Sequence, residues 1–153
     1  MEKLVLFICT GNTCRSPMAE AWFNHRAARL GLSGYRARSA GLYAVSGEPA
    51  SAQAREVMRE NGCDLESFRS QPLSRELLDA AEVIVGMTDA HCRKLTAAAP
   101  EITGKCFRMT DFTDSGDVTD PYGGSVEVYR RCFAGMKNAL ENLIAELRDS
   151  SSK

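Results

Sequence analysis

Apolar residues fall in two alternating rhythms along this chain. Leu4-Val5-Leu6-Phe7-Ile8 is an unbroken apolar run, the pattern of a strand covered on both faces. From Ser16 to about Leu30 the apolar positions Met18, Ala21, Trp22 and Ala28 fit one broad helical face, with Pro17 suited to the first turn and Gly31 and Gly34 as punctuation. Tyr35 to Ala40 predicts a second strand, Ser46-Gly47-Glu48-Pro49 a loop, and Ala50 to Asn61 a helix closed by Gly62. Ser74 caps a short helix through Ala80, and Glu82 to Met87 predicts a third, buried strand. Thr88 or Asp89 caps the next helix, which stops before Pro100, and Lys105 to Met109 is a short fourth strand. Tyr129, Cys132, Phe133, Met136, Leu140, Leu143, Ile144 and Leu147 recur every three or four residues and predict a helix from Ser125 to about Arg148. Ser150-Ser151-Ser152-Lys153 is expected to fray.

Alternating strands and helices imply an α/β fold: a single-domain open parallel four-stranded sheet over residues 1–153, with helices on both faces. Such sheets bind ligands at the carboxyl ends of their strands. Two segments meet that condition or have loop lengths associated with function: the residues after the first strand, and Thr110 to Gly124, rich in Asp, Gly, Ser and Thr.

Composition narrows the field mainly by exclusion. A net charge of -1 gives no reason to expect nucleic acid as a partner. No apolar run approaches the roughly 18 residues of a membrane span, and nothing reads as a signal peptide, so no membrane partner and a cytoplasmic location are expected. The six cysteines at 9, 14, 63, 92, 106 and 132 are then expected to be reduced. Cys9 and Cys14 lack zinc-knuckle spacing and there are only two histidines, so neither metal nor other cofactor is expected.

The residues after the first strand carry the chemistry: Cys9-Thr10-Gly11-Asn12-Thr13-Cys14-Arg15-Ser16. A helix N-terminus and the permanent charge of Arg15 both favour negative charge at the Cys9 sulfur and at a bound anion. Gly11 allows close backbone approach, Asn12 tolerates a left-handed conformation, and successive N–H groups can form an anion nest. The Arg15 fork suits two phosphoryl oxygens, and Ser16 can donate to the sulfur. Thr10 to Ser16 is thus a phosphate-binding loop after the first strand, with Cys9 as nucleophile.

These residues resemble the signature of the low-molecular-weight protein tyrosine phosphatases. Asp120-Pro121-Tyr122 is similar to that family's second motif, and Ser39-Ala40-Gly41 to an element that braces the loop. The resemblance spans essentially the whole chain. It implies a two-step reaction without metal: Cys9 attacks phosphorus to form a cysteinyl-phosphate, Arg15 steadies the equatorial oxygens, and Asp120 protonates the leaving group and then activates water. Asp111, Asp114 and Asp117 read as solvated neighbours of that acid.

Within the family the chain is similar to the protein-arginine phosphatase branch. Thr13 stands where tyrosine phosphatases usually carry a larger aliphatic residue. Tyr122 is followed by Gly123-Gly124-Ser125, and the segment Leu42 to Ser46 offers Tyr43 but no Trp. Thr13, Tyr122 and Tyr43 are therefore the expected selectivity residues, with phosphorylated proteins as partners and phosphoarginine ahead of phosphotyrosine. Many relatives carry a His near Phe68 that holds the loop Asn. Here that bracing is expected from Ser39 and a neighbour such as Ser70. Cys14 is a candidate redox partner of Cys9, and Cys63, Cys92, Cys106 and Cys132 read as structural. Arsenate reduction, a phosphoprotein-binding module without turnover, and assembly beyond a monomer are the less favoured readings.

Overall fold

The structure, a computed structural model, describes residues 2–32, 34–114 and 116–151. Nine main elements follow in order: β1 (Lys3–Cys9), α1 (Arg15–Arg29), β2 (Tyr35–Gly41), α2 (Ala52–Glu60), α3 (Arg75–Ala80), β3 (Ala81–Gly86), α4 (Asp89–Ala98), β4 (Cys106–Arg108) and α5 (Val126–Ser151). The strands pair in the order β2-β1-β3-β4, and every pairing is parallel.

Strand periodicity explains the two layers. Alternate side chains of β1 point to opposite faces. Val5 and Phe7 enter a cluster with Met18, Phe23, Val57, Tyr129 and Met136, which brings α1, α2 and α5 onto one face. Leu6 and Ile8 enter a second cluster with Leu77, Leu78, Leu95 and Ile102, which brings α3 and α4 onto the other. Burying each such side chain contributes roughly 1.5–3 kcal/mol. Trp22 belongs to the first cluster, as expected of a core residue.

The elements depart from the periodicity mainly at their ends. Arg15 is already helical, and α2 starts after Ser51, whose Oγ accepts the Ala54 N–H at 3.2 Å. Thr88, rather than Asp89, caps α4. β4 is only three residues long, because Pro100–Lys105 forms a 3-10 helix and Lys105 turns its ammonium back to the carbonyls of Leu78 and Ala81, at 2.8 and 2.7 Å. Part of the predicted loop is ordered as the 3-10 helix Met109–Phe112, which buries Met109 and Phe112. Ser150 and Ser151 continue α5 instead of fraying, while Ser152 and Lys153 lie outside the described residues. Among the described residues no helix is long and apolar enough to cross a membrane.

One close approach positions the site. Gly41 ends β2 beside Cys9, and a Cβ there would meet the Thr10 carbonyl oxygen at 2.6 Å and the Asn12 nitrogen at 3.0 Å. The loop after β1 can fold back over the sheet edge only because this position has no side chain.

Candidate active site

The loop from Cys9 to α1 closes around the Cys9 sulfur. Asn12 N–H donates to Sγ at 3.3 Å, and Ser16 Oγ lies 2.9 Å from it. The Asn12 amide donates to Ser16 Oγ at 2.9 Å, which occupies a hydroxyl lone pair and leaves the Ser16 proton for the sulfur. Cys14 precedes α1 at the N-cap position and supplies no side-chain cap, so the first-turn N–H groups have no side-chain acceptor from it. Free helix-start N–H groups beside Arg15 favour an anion.

Asn12 is the centre of the scaffold. It is fully buried and is the one non-glycine residue with positive φ among the described residues, at 57°. The left-handed residue is thus Asn12 itself, and Gly11 stays outside that region. Its amide nitrogen also donates to Ser39 Oγ at 3.0 Å, and its carbonyl accepts the Gln71 N–H at 2.9 Å. The expected brace from Ser39 is therefore present. The second brace is the Gln71 backbone and not Ser70, whose hydroxyl bonds the Val45 carbonyl and the Glu48 N–H. Phe68 packs half-buried against the core instead. Ser39 in turn donates to Glu20 at 2.9 Å. Burial raises the Glu20 carboxyl above the usual range, against the opposing pull of the Ser39 hydrogen bond and Arg38.

Arg15 is buried, and its Nη1 donates to the Val118 carbonyl at 3.0 Å. Its Nη2 lies 3.7 Å from Asp120 Oδ2, so the guanidinium and the Asp120 carboxylate face one space. That space is a cavity of about 230 Å³ lined by Cys9 through Arg15 together with Asp120 and Tyr122. A larger cavity of about 300 Å³ lies behind the Asp120 segment, against α5, but Cys9 and Arg15 do not line it. Anion chemistry therefore belongs to the smaller one.

The other expected residues divide. Thr13 is half-buried in the cavity wall, and Tyr122 is 77% exposed at it. Tyr43 does not line the cavity. Its N–H holds the Thr10 carbonyl at 2.9 Å, while its ring and hydroxyl engage Lys94 at 4.9 and 3.1 Å. Cys14 is buried with its sulfur 3.0 Å from the Tyr129 hydroxyl, and all six cysteines are free thiols. Burial, followed by the Cys14 contact, pushes the Tyr129 phenol up to about 12. Asp111 pairs with Arg108 at 2.8 Å, and Asp117 accepts the Asp89 N–H at the start of α4 at 3.0 Å, so neither is simply solvated.

Sequence reasoning missed His91. Its Nε2 lies 3.0 Å from Thr10 Oγ1, and burial, reinforced by Arg15 and Lys94, pushes it down to about 4. The only signal was Thr88 three residues earlier, the first half of a capping pattern that normally ends in Glu or Gln.

Comparison with known proteins matches this geometry. A family model described as low molecular weight phosphotyrosine protein phosphatase covers residues 4–153. A protein-arginine-phosphatase of Geobacillus stearothermophilus is 38% identical over 97% of this chain and 98% of that protein. A probable low molecular weight protein-tyrosine-phosphatase of Ralstonia solanacearum is 34% identical over 97% and 98%. The solved arginine phosphatase YwlE, in a cysteine-to-serine mutant with a phosphorylated active-site serine, superposes with a TM-score of 0.89 at 36% identity, over 95% of each chain. The four-stranded parallel sheet, the loop around Cys9 and these likenesses together make the chain a member of the low molecular weight phosphotyrosine protein phosphatase family.

Proposed function

We propose that this phosphatase hydrolyses phosphoarginine in proteins through a cysteinyl-phosphate. The observation that carries the reading is the convergence of Cys9, Arg15 and Asp120 on one cavity at the N-terminus of α1, where the Asn12 N–H meets the Cys9 sulfur. The Cys9 thiolate attacks phosphorus in line, with the Ser16 hydroxyl and Asn12 N–H bonded to the sulfur. Arg15 and the loop from Thr10 to Ser16 stabilise the charge that builds on the three equatorial oxygens. Asp120 gives its proton to the leaving nitrogen and then takes one from water, which cleaves the sulfur–phosphorus bond. In the free enzyme Asp120 Oδ2 already lies 3.7 Å from Arg15 Nη2, so the proton donor stands beside the space that the phosphoryl group fills. A relative whose active-site serine holds phosphate supports the covalent step.

The choice of phosphoarginine rests on Thr13 in the cavity wall and on relatives that carry that activity in their names. A short, hydroxyl-bearing wall gives an aromatic ring less apolar surface to pack against and offers oxygen to guanidinium N–H donors. Phosphotyrosine is the second reading, favoured by the exposed Tyr122 beside the cavity and by relatives named for it. We take the enzyme to act as a monomer on cytoplasmic phosphoproteins, where its free cysteines suit a reducing compartment. The test is a side-by-side rate measurement on phosphoarginine and phosphotyrosine peptides with wild type, Thr13→Ile and Cys9→Ala. Preference for phosphoarginine that falls in Thr13→Ile is expected. An unchanged preference defeats the selectivity argument, and turnover by Cys9→Ala defeats the covalent route.

A further inference from the structure

We infer that His91 is a positioning residue for this site, acting through Thr10: it fixes the Thr10 hydroxyl as a proton donor to the phosphoryl group held over Cys9. This rests on the anion-binding reading of the loop and is independent of which leaving group the enzyme accepts.

The tautomer follows from the backbone. Thr88 N–H donates to His91 Nδ1 at 3.2 Å, and a backbone N–H can only donate. Nδ1 therefore carries the lone pair, and the neutral ring carries its proton on Nε2. The Thr88 hydroxyl agrees, accepting the His91 N–H at 3.2 Å while it lies 3.0 Å from Nδ1. Nε2–H must then donate to Thr10 Oγ1, across 3.0 Å. A hydroxyl that accepts on one side has its own proton to give elsewhere. Thr10 is exposed in the cavity wall, so that proton has the bound anion as its acceptor. A hydrogen bond to a charged oxygen is roughly twice as strong as a neutral one.

Both partners are held in place. The Thr10 carbonyl accepts the Tyr43 N–H at 2.9 Å, so the threonine cannot swing away. His91 is buried in the first turn of α4. That turn lies against β3 because Gly86 has no side chain: a Cβ there would meet Cys92 Sγ at 2.8 Å and His91 Cβ at 3.2 Å. The ring must also be neutral, since a second proton would set Nδ1–H against the Thr88 N–H.

The test is a double-mutant cycle on inorganic phosphate binding by calorimetry, with the wild-type tautomer read from imidazole ¹⁵N shifts. His91→Asn keeps an oxygen near Nδ1 for the Thr88 N–H but cannot reach Thr10. His91→Gln keeps an N–H near Nε2. Thr10→Val removes the donor itself. We expect Thr10→Val and His91→Asn each to weaken phosphate binding by about five- to tenfold, the double variant to be no weaker than either, and His91→Gln to recover most of the loss. A His91→Asn effect that persists undiminished in the Thr10→Val background, or no effect at all, overturns the inference. So does a wild-type proton on Nδ1, which is measurable even if a variant fails to fold. Wild type that binds phosphate but cleaves neither peptide defeats the proposed substrates and leaves the cycle readable. Wild type that binds no phosphate defeats both.

Discussion

Cys14 Sγ lies 3.0 Å from the Tyr129 hydroxyl, which ties the loop after β1 directly to α5. The phenol is 1% exposed, and its raised ionisation keeps it neutral through the physiological range. Removing the hydroxyl leaves a buried thiol without its nearest partner. Tyr129→Phe should therefore lower stability by about 1–2 kcal/mol. Urea denaturation checks this, and a midpoint equal to wild type would show that the contact contributes nothing.

The same sulfur bears on oxidation. An activated thiolate is the form that peroxide attacks, and a nearby thiol can condense with the sulfenic acid before further oxygen adds. Mild peroxide should produce a Cys9–Cys14 disulfide, detected as a loss of two hydrogens in the linked peptide. Cys14→Ser should instead accumulate sulfinic acid at Cys9. Sulfinic acid at Cys9 in the wild type, with no linked peptide, would count against the pairing.

Asn12 combines a left-handed backbone with donors to Ser16 and Ser39 and an acceptor for the Gln71 N–H. Asn12→Ala forfeits all of these and leaves a part-buried N–H unpaired. A loss of about 2–3 kcal/mol is expected, with kcat falling more than KM rises, because Ser16 loses the partner that aims its proton at Cys9. Calorimetric unfolding and steady-state kinetics separate the two effects.

His91 gives stability a defined pH window. Its imidazole falls from an ordinary 6.5 to about 4, chiefly through burial. The folded state thus resists protonation more than the unfolded chain does. The contribution is complete above pH 6.5 and is lost progressively as pH falls toward 4, amounting to on the order of 3 kcal/mol. Replacing His91 by Asn should flatten this part of the stability curve. If wild type and His91→Asn lose stability in parallel between pH 6.5 and 4, the ring is not the group responsible.

What could be read ahead of the structure follows from whether the signal is local. The run Leu4–Ile8 and the three-and-four spacing of α5 are written in contiguous side chains, and both elements form where the pattern lies. Cys9 to Ser16 was legible for the same reason. Asp120 was singled out only through the likeness of Asp120-Pro121-Tyr122 to the family's second motif, since an Asp before Pro is otherwise a common turn. The brace from Gln71 was not legible, because it is a backbone N–H that any residue except proline would supply. The partnership of Thr10 with His91 spans 81 positions and depends on Gly86 letting α4 approach β3. The three-residue β4 lost its ends to Lys105, which found carbonyls across the chain rather than a place in the ladder.

Glu20 supplies a pH dependence of opposite sign. Its carboxylate is half-buried, accepts the Ser39 hydroxyl, and stands one hydrogen bond removed from Asn12. Burial raises its ionisation above that of an unfolded glutamate, so the charged form is less welcome in the folded state. Below the unfolded value the group is neutral in both states and carries no penalty. As pH rises through the folded value the penalty grows to its full size. Glu20→Gln keeps an oxygen for Ser39 without the charge. It should therefore be more stable relative to wild type at pH 7 than at pH 4, with the hydrogen-bond chain to Asn12 intact. Thermal midpoints of the two proteins at both pH values provide the measurement. A difference that is constant with pH, or that shrinks toward neutrality, would mean that Arg36 and Arg38 neutralise the carboxylate in solution and that burial does not govern it.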